Sequence, residues 1–93
     1  MPRSFVYIVQ CADGTLYTGW TSSLPRRLAA HNAGHGAKYT RSRRPVRLVW
    51  SEELPTRSAA LRREAAIKHL THAQKLALIA ACTDTEKEET HGR

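Results

Sequence analysis

Arg27 and His31 lie four residues apart in a stretch patterned as a helix, so they project from one face. A proton-transfer group beside a fixed cation is a combination that phosphoryl chemistry can use. A solvated helix edge would show the same spacing. Tyr7 and Tyr17 each fall in a strand-like run, and Tyr17 is followed by Thr18-Gly19. A glycine inside a strand often marks close approach by a ligand or another backbone. If Ala12-Asp13-Gly14 forms the turn, with Gly14 in a left-handed bulge position, then Tyr7 faces Gly19, Tyr17 faces Val9, and both phenols share a face. A two-residue Asp13-Gly14 turn gives the other parity and separates them. Strand tyrosines are more often packing residues than reacting groups, because aromatic rings favour strands. Glu64 shares a helical stripe with Ala60 and Ile67, so its carboxylate points toward apolar surroundings and needs compensation. An ion pair with Arg62 or Arg63 would supply it. So would a magnesium ion, which often takes only one or two carboxylates and completes its shell with water and phosphate. The pairs His31/His35 and His69/His72 have no cysteine to complete a zinc site, so zinc is not expected.

Several elements must position these groups. Phe5–Val9 is an apolar, β-branched and aromatic run, and its unbroken apolarity predicts a central strand covered on both faces. Residues 4–21 read as a hairpin. Ser22 or Ser23 caps a helix with Pro25 in its first turn, Leu24 and Leu28 on its inner stripe, and a stop near Gly34. His35 to Pro45 reads as a charged loop. Val46–Trp50 is a third strand. Thr56 caps a second helix whose apolar positions are Ala60, Leu61, Ala65, Ile67 and Leu70. Thr71 and Gln74 fit a capping box that opens a third helix, with Leu76, Ile79 and Ala80 facing inward. The fold class is α/β: a small three-stranded, at least partly antiparallel sheet flanked by three helices. Residues 1–82 form one domain, and 83–93 read as a charged, disordered tail without apolar anchors.

Charge narrows the function classes. The chain of 93 residues carries a formal net charge of +7, and eight of its fifteen basic side chains precede residue 52, where Asp13 is the only acid. Lys38, Arg41, Arg43, Arg44 and Arg47 form the densest group, with Tyr39 among them. Arginine's planar fork matches phosphate oxygens in pairs, so this segment reads as a polyanion-binding face, most simply for nucleic acid. The longest apolar stretch, residues 76–82, is far short of the ~20 residues that span a bilayer, so no membrane role is expected. No secretory leader is recognised. Cys11 and Cys82 fit neither a disulfide framework nor a zinc pattern and read as reduced thiols of a cytoplasmic protein.

Taken together, residues 4–80 resemble the GIY-YIG endonuclease superfamily. Its two short motifs correspond to Phe5-Val6-Tyr7 and Tyr17-Thr18-Gly19, although only the tyrosines and the final glycine match literally. The succession continues with Gly19-Trp20-Thr21, Arg26-Arg27-Leu28-Ala29-Ala30-His31-Asn32, Gly36-Ala37-Lys38-Tyr39-Thr40 and Ala60-Leu61-Arg62-Arg63-Glu64. It looks like the small single-domain bacterial branch, which is similar to the nuclease domain of the eukaryotic structure-selective endonuclease.

That resemblance implies a metal-dependent DNA endonuclease, structure- or strand-selective, with a place in DNA repair. Tyr7 or Tyr17 would orient or deprotonate the attacking water, with Tyr7 favoured. Arg27 would stabilise transition-state charge, His31 would assist proton transfer or hold the phosphate, and Tyr39 would contact the phosphate or the water. Glu64 would be the sole protein ligand of one Mg²⁺ or Mn²⁺. DNA is the expected partner, RNA is left open, and a targeting protein partner is undetermined. Some family members use an asparagine late in the domain, whereas the only one here is Asn32. The alternative reading is a non-catalytic nucleic-acid-binding module on the same fold. Glu64 argues against it, because binding alone has no need for that carboxylate. A protein-docking role for the last two helices is neither supported nor opposed by the sequence.

Overall fold

The computed structural model describes the backbone of residues 3–91 and the side chains of residues 3–81. The expected tail at 83–93 and the Cys82 thiol therefore lie outside the described side chains. Strand β1 (Ser4–Gln10) turns at Cys11–Thr15 into β2 (Leu16–Thr21). Helix α1 (Leu24–Asn32), the single-turn helix α2 (Lys38–Arg41) and β3 (Arg47–Leu54) follow, and then α3 (Arg57–Lys68) and α4 (His72–His91). The strand order is β2-β1-β3, and both pairings are antiparallel. The long apolar strand is central, as its composition requires: Val6, Tyr7, Ile8 and Val9 are all buried.

Alternation along β1 divides the core in two. Val6 and Ile8 pack with Trp50, Ala60 and Ile67 on the face covered by α3, which Leu78 and Ile79 of α4 help to close. Tyr7 and Val9 pack with Cys11 and Val46 on the other face, against Tyr17, Leu24 and Leu28, where α1 lies. Three differences from the sequence reading have simple causes. The segment 35–45 contains the turn α2, built without apolar periodicity. β3 runs on to Leu54 because Ser4, Phe5 and Val6 of the central strand pair with Leu54, Glu53 and Glu52. Leu61 and Ala65 of α3 and Leu76 and Ala80 of α4 are exposed, because α3 covers the sheet with Ala60 and Ile67 and α4 packs on it through Leu78 and Ile79.

Ser23 occupies the N-cap of α1, but its side chain makes no cap bond, and Thr21 Oγ1 accepts from Ser23 N instead; the other local signals hold. Thr56 Oγ1 accepts from Ala59 N at 3.0 Å, and Thr71 and Gln74 form the reciprocal capping box. Pro25 sits in the first turn of α1, and Gly34, just past its end, has φ 88°.

Candidate active site

The β1–β2 turn decides where the phenols go. Gly14 has φ 87°, Gly14 N donates to Cys11 O, and Cys11 N donates to Thr15 O, so the loop is the three-residue one. Tyr7 consequently pairs with Gly19 and Val9 with Tyr17, and both rings lie on the α1 side of the sheet. Gly19 is necessary there. A Cβ at this position would come within 2.6 Å of Tyr7 Oη and 2.8 Å of its Cζ.

Arg27 and His31 reach the phenols from the next element, one turn apart on α1. Arg27 Nε donates to Tyr7 Oη at 3.2 Å, and Tyr7 Oη lies 2.9 Å from His31 Nε2. Tyr7 is 2% exposed and His31 0%. On its other side, His31 Nδ1 is 2.8 Å from Thr40 Oγ1, and that hydroxyl donates to Ala37 O at 3.0 Å. Tyr17 meets His31 edge-on, at 5.5 Å between ring centroids, and stacks on Tyr39 at 5.9 Å. Tyr39, 39% exposed, also lies under the Arg43 guanidinium, 4.1 Å from its ring centre.

The electrostatics follow from this burial. Loss of solvent holds the Tyr7 phenol above its ordinary value, against the opposing pull of the Arg27 bond and charge. Burial, and then the Arg27 cation, pushes His31 below the ordinary imidazole range, so the ring is neutral at pH 7. The bond to Tyr7 raises Arg27, and Tyr17 adds to the effect, so this one cation serves both phenols.

Glu64 comes from α3, and among the described residues no hydrogen bond or ion pair joins it to the cluster. Its charge is felt at Tyr7, where it raises the phenol's pKa. Its side chain is 16% exposed, and Oε2 lies 3.3 Å from Lys68 Nζ. The expected partners Arg62 and Arg63 are not used: Arg63 pairs instead with Glu52 at 2.8 Å, while Lys68 is one helical turn beyond Glu64. Among the described residues Glu64 Oε1 has no hydrogen bond or ion pair, and no group of three or more His, Cys, Asp or Glu forms a cage. One hard carboxylate oxygen without a bonded partner among the described residues suits Mg²⁺ or Mn²⁺, which would draw its remaining ligands from water and phosphate.

The basic segment divides. Arg43 is held by Asp13 at 3.0 Å and by Tyr39 O at 2.8 Å, and Arg44 donates to Arg41 O and Asn32 O. Arg47 donates to Gln10 Oε1. Lys38 and Arg41 are exposed, and their side-chain cations carry no bond among the described residues. With Asn32, Ser42, Arg44 and Pro45, Arg41 lines an open hollow of about 450 Å³ beside the cluster. The Asn32 side chain exchanges two bonds with the backbone of Val46, fastening the end of α1 to the entry of β3.

A β-hairpin presenting two tyrosines to an Arg–His helix, with a glutamate from a later helix, is the arrangement expected from the sequence resemblance. The model of the GIY-YIG catalytic domain matches residues 3–77. This chain belongs to the GIY-YIG family.

Its relatives have the same small size. It is 54% identical over 80 residues to a UPF0213 protein of Syntrophus aciditrophicus, covering 85% of this chain and 92% of that one. It is 52% identical over 79 residues to a UPF0213 protein of Staphylococcus haemolyticus, covering 85% and 96%. Among solved structures, the solution NMR structure of a UPF0213 protein from Bacillus halodurans matches with a TM-score of 0.57 at 43% identity, covering 85% of this chain and 84% of that one. A protein of E. faecalis matches with a TM-score of 0.61 at 42% identity, covering 89% and 88%. Thr40 and Gly36, both within the motif Gly36-Ala37-Lys38-Tyr39-Thr40, were given no role from the sequence, yet both meet His31. A Cβ on Gly36 would run into His31 Nδ1 and Cα. Thr40 sits nine residues from His31 across a glycine-containing loop, so no period links them.

Proposed function

We propose that this GIY-YIG chain is a divalent-metal-dependent endonuclease that hydrolyses DNA phosphodiester bonds and selects strand state or structure rather than sequence. One observation carries the reading. A single arginine is bonded to a buried tyrosine and acts on a second, half-buried tyrosine, beside a neutral histidine and within the field of one under-bonded carboxylate.

Tyr7 has its hydroxyl committed to two partners and sealed from water, so its part is to hold Arg27 and His31. Tyr17 is the phenol that solvent reaches, and it orients the attacking water beside the Arg27 cation. The water gives up a proton to solvent through Tyr17 Oη as its oxygen bonds to phosphorus, the bond to the leaving oxygen breaks as that oxygen takes a proton from solvent, and charge builds meanwhile on the phosphoryl oxygens. Arg27 neutralises it, and by analogy with phosphoryl-transfer enzymes such an arginine contributes roughly 10³–10⁵-fold. Tyr39, its ring fixed between Tyr17 and Arg43, offers its hydroxyl to the phosphate. A cation at Glu64, when bound, supplies Lewis-acid polarisation of a phosphoryl oxygen. Lys38 and Arg41 grip backbone phosphates, which position the strand without reading bases.

The test is incubation with single-stranded, duplex, flap and branched DNA, with RNA alongside, with and without Mg²⁺ or Mn²⁺. Cutting of at least one DNA form that requires the cation, and that Arg27→Ala abolishes, supports the reading. Binding without turnover on every substrate would leave the non-catalytic module in its place.

A further inference from the structure

Four consecutive polar contacts join Arg27, Tyr7, His31, Thr40 and Ala37 O, and the last fixes the direction of the rest. Thr40 is completely buried, and its hydroxyl hydrogen goes to Ala37 O at 3.0 Å. Its oxygen is then free only to accept, so His31 Nδ1 is the donor across the 2.8 Å contact. Nε2 is therefore the bare nitrogen, and Tyr7 donates to it.

The other end of the chain gives the same answer. Arg27 can only donate to Tyr7 Oη. If His31 also donated there, two donors would meet one oxygen, and the buried Tyr7 hydrogen would have no acceptor among the described residues. That is a costly arrangement. All the hydrogens therefore run one way, from Arg27 through Tyr7, His31 and Thr40 to a backbone carbonyl, a pattern in which each bond polarises the next. Gly36 completes it, because any larger residue would occupy the space against His31 Nδ1.

We propose that Thr40 is a positioning residue of the site: it holds His31 in the Nδ1–H tautomer, which directs the Tyr7 hydrogen to Nε2 and leaves Tyr7 Oη open to receive Arg27. Thr40 touches no substrate and acts through His31. Its effect on turnover rests on the nuclease reading above, whereas its effect on the tautomer does not.

The experiment is ¹⁵N NMR of the full chain labelled at histidine nitrogens, without DNA, on wild type, Thr40→Val and Thr40→Ser, followed by single-turnover cleavage. Wild type should show a protonated Nδ1 and a bare Nε2 at His31. Thr40→Val, equal in shape but without the acceptor, should shift the signal toward the Nε2–H form, and Thr40→Ser should restore it. Turnover should fall about 10–100-fold in Thr40→Val, the size of effect seen when a partner that orients a site histidine is lost, because the Tyr7–Arg27 contact loses its fixed geometry, with substrate binding kept. A wild-type spectrum showing Nε2–H, or a Thr40→Val spectrum unchanged from wild type, overturns the proposal. Should Thr40→Val not fold, the wild-type and Thr40→Ser spectra still decide. A tautomer that shifts in Thr40→Val, in a protein that cuts no DNA, upholds Thr40's role and removes the nuclease reading instead.

Discussion

Replacing Gly19 with alanine sets two effects of opposite sign against each other. Gly19 has no left-handed φ, so alanine fits its backbone, and the loss of unfolded-state freedom alone would stabilise the protein by about 0.4–1 kcal/mol. Sterics oppose this. The new methyl would start 2.6 Å from Tyr7 Oη, whereas ordinary contact begins at 3.4 Å, so the phenol must retreat by most of an ångström. Tyr7 is buried against Val9, Leu24 and Leu28 and has little room to move. Its bond from Arg27 is already 3.2 Å long and will not survive such a shift. Overpacking costs about 1–3 kcal/mol, and a hydrogen bond to a charged group is worth about 1.5–3 kcal/mol. Destabilisation wins, by roughly 1.5–5.5 kcal/mol on these figures. For a domain of this size each kcal/mol lowers Tm by roughly 4–8 °C. Thermal unfolding followed by circular dichroism should show a fall of at least about 4 °C. Cleavage should drop about 100-fold, the usual consequence of misplacing a site group by ~1 Å. Gly14→Ala is the control: it strains a φ of 87° with open space around the new Cβ, so it should lose stability but keep activity. A Gly19→Ala protein as stable and as active as wild type would refute the close-approach reasoning.

The pH dependence of stability has a worked sign. His31 is held below its ordinary value, so between its folded pKa and about 6.5 the unfolded chain binds the extra proton, and stability falls as pH drops through that window. Tyr7 is held above its ordinary value near 10, so above about pH 10 the unfolded chain loses its proton first, and stability falls again. Urea unfolding across pH 5–11 checks both limbs, and His31→Gln should flatten the acid one. Arg41→Ala should lower the slope of log binding constant against log salt by about one without affecting stability, since its side chain is exposed and unbonded among the described residues. Arg43→Ala should instead loosen Tyr39 and the turn at Asp13, lowering turnover more than the salt slope.

What was legible in the sequence was local. Asp13-Gly14 and the alternation around it fixed the register to two options, and the bulged one placed Tyr7 over Gly19. The four-residue spacing of Arg27 and His31 put them on one face of α1, and Thr71-Gln74 announced the start of α4. What remained hidden depended on contacts between segments. Nothing in residues 35–45 reveals that Thr40 Oγ1 meets His31, or that Arg43 and Arg44 are occupied with Asp13 and backbone carbonyls rather than left free. Nor does α3's composition reveal that Arg63 turns to Glu52 across β3 and leaves Lys68 to Glu64. Charge density alone does not show which of these cations already have a partner within the fold.

The decisive measurement is single-turnover cleavage by Glu64→Gln at DNA concentrations that saturate both proteins, titrated with Mg²⁺. The change keeps the shape of the side chain and removes a single i,i+4 ion pair to the exposed Lys68, so the fold should persist. Equal DNA binding, with cutting lost at every Mg²⁺ concentration, is the predicted result. Cutting by the variant at the wild-type rate and with the same Mg²⁺ dependence would contradict the assignment of Glu64, and with it the hydrolytic site built around Arg27.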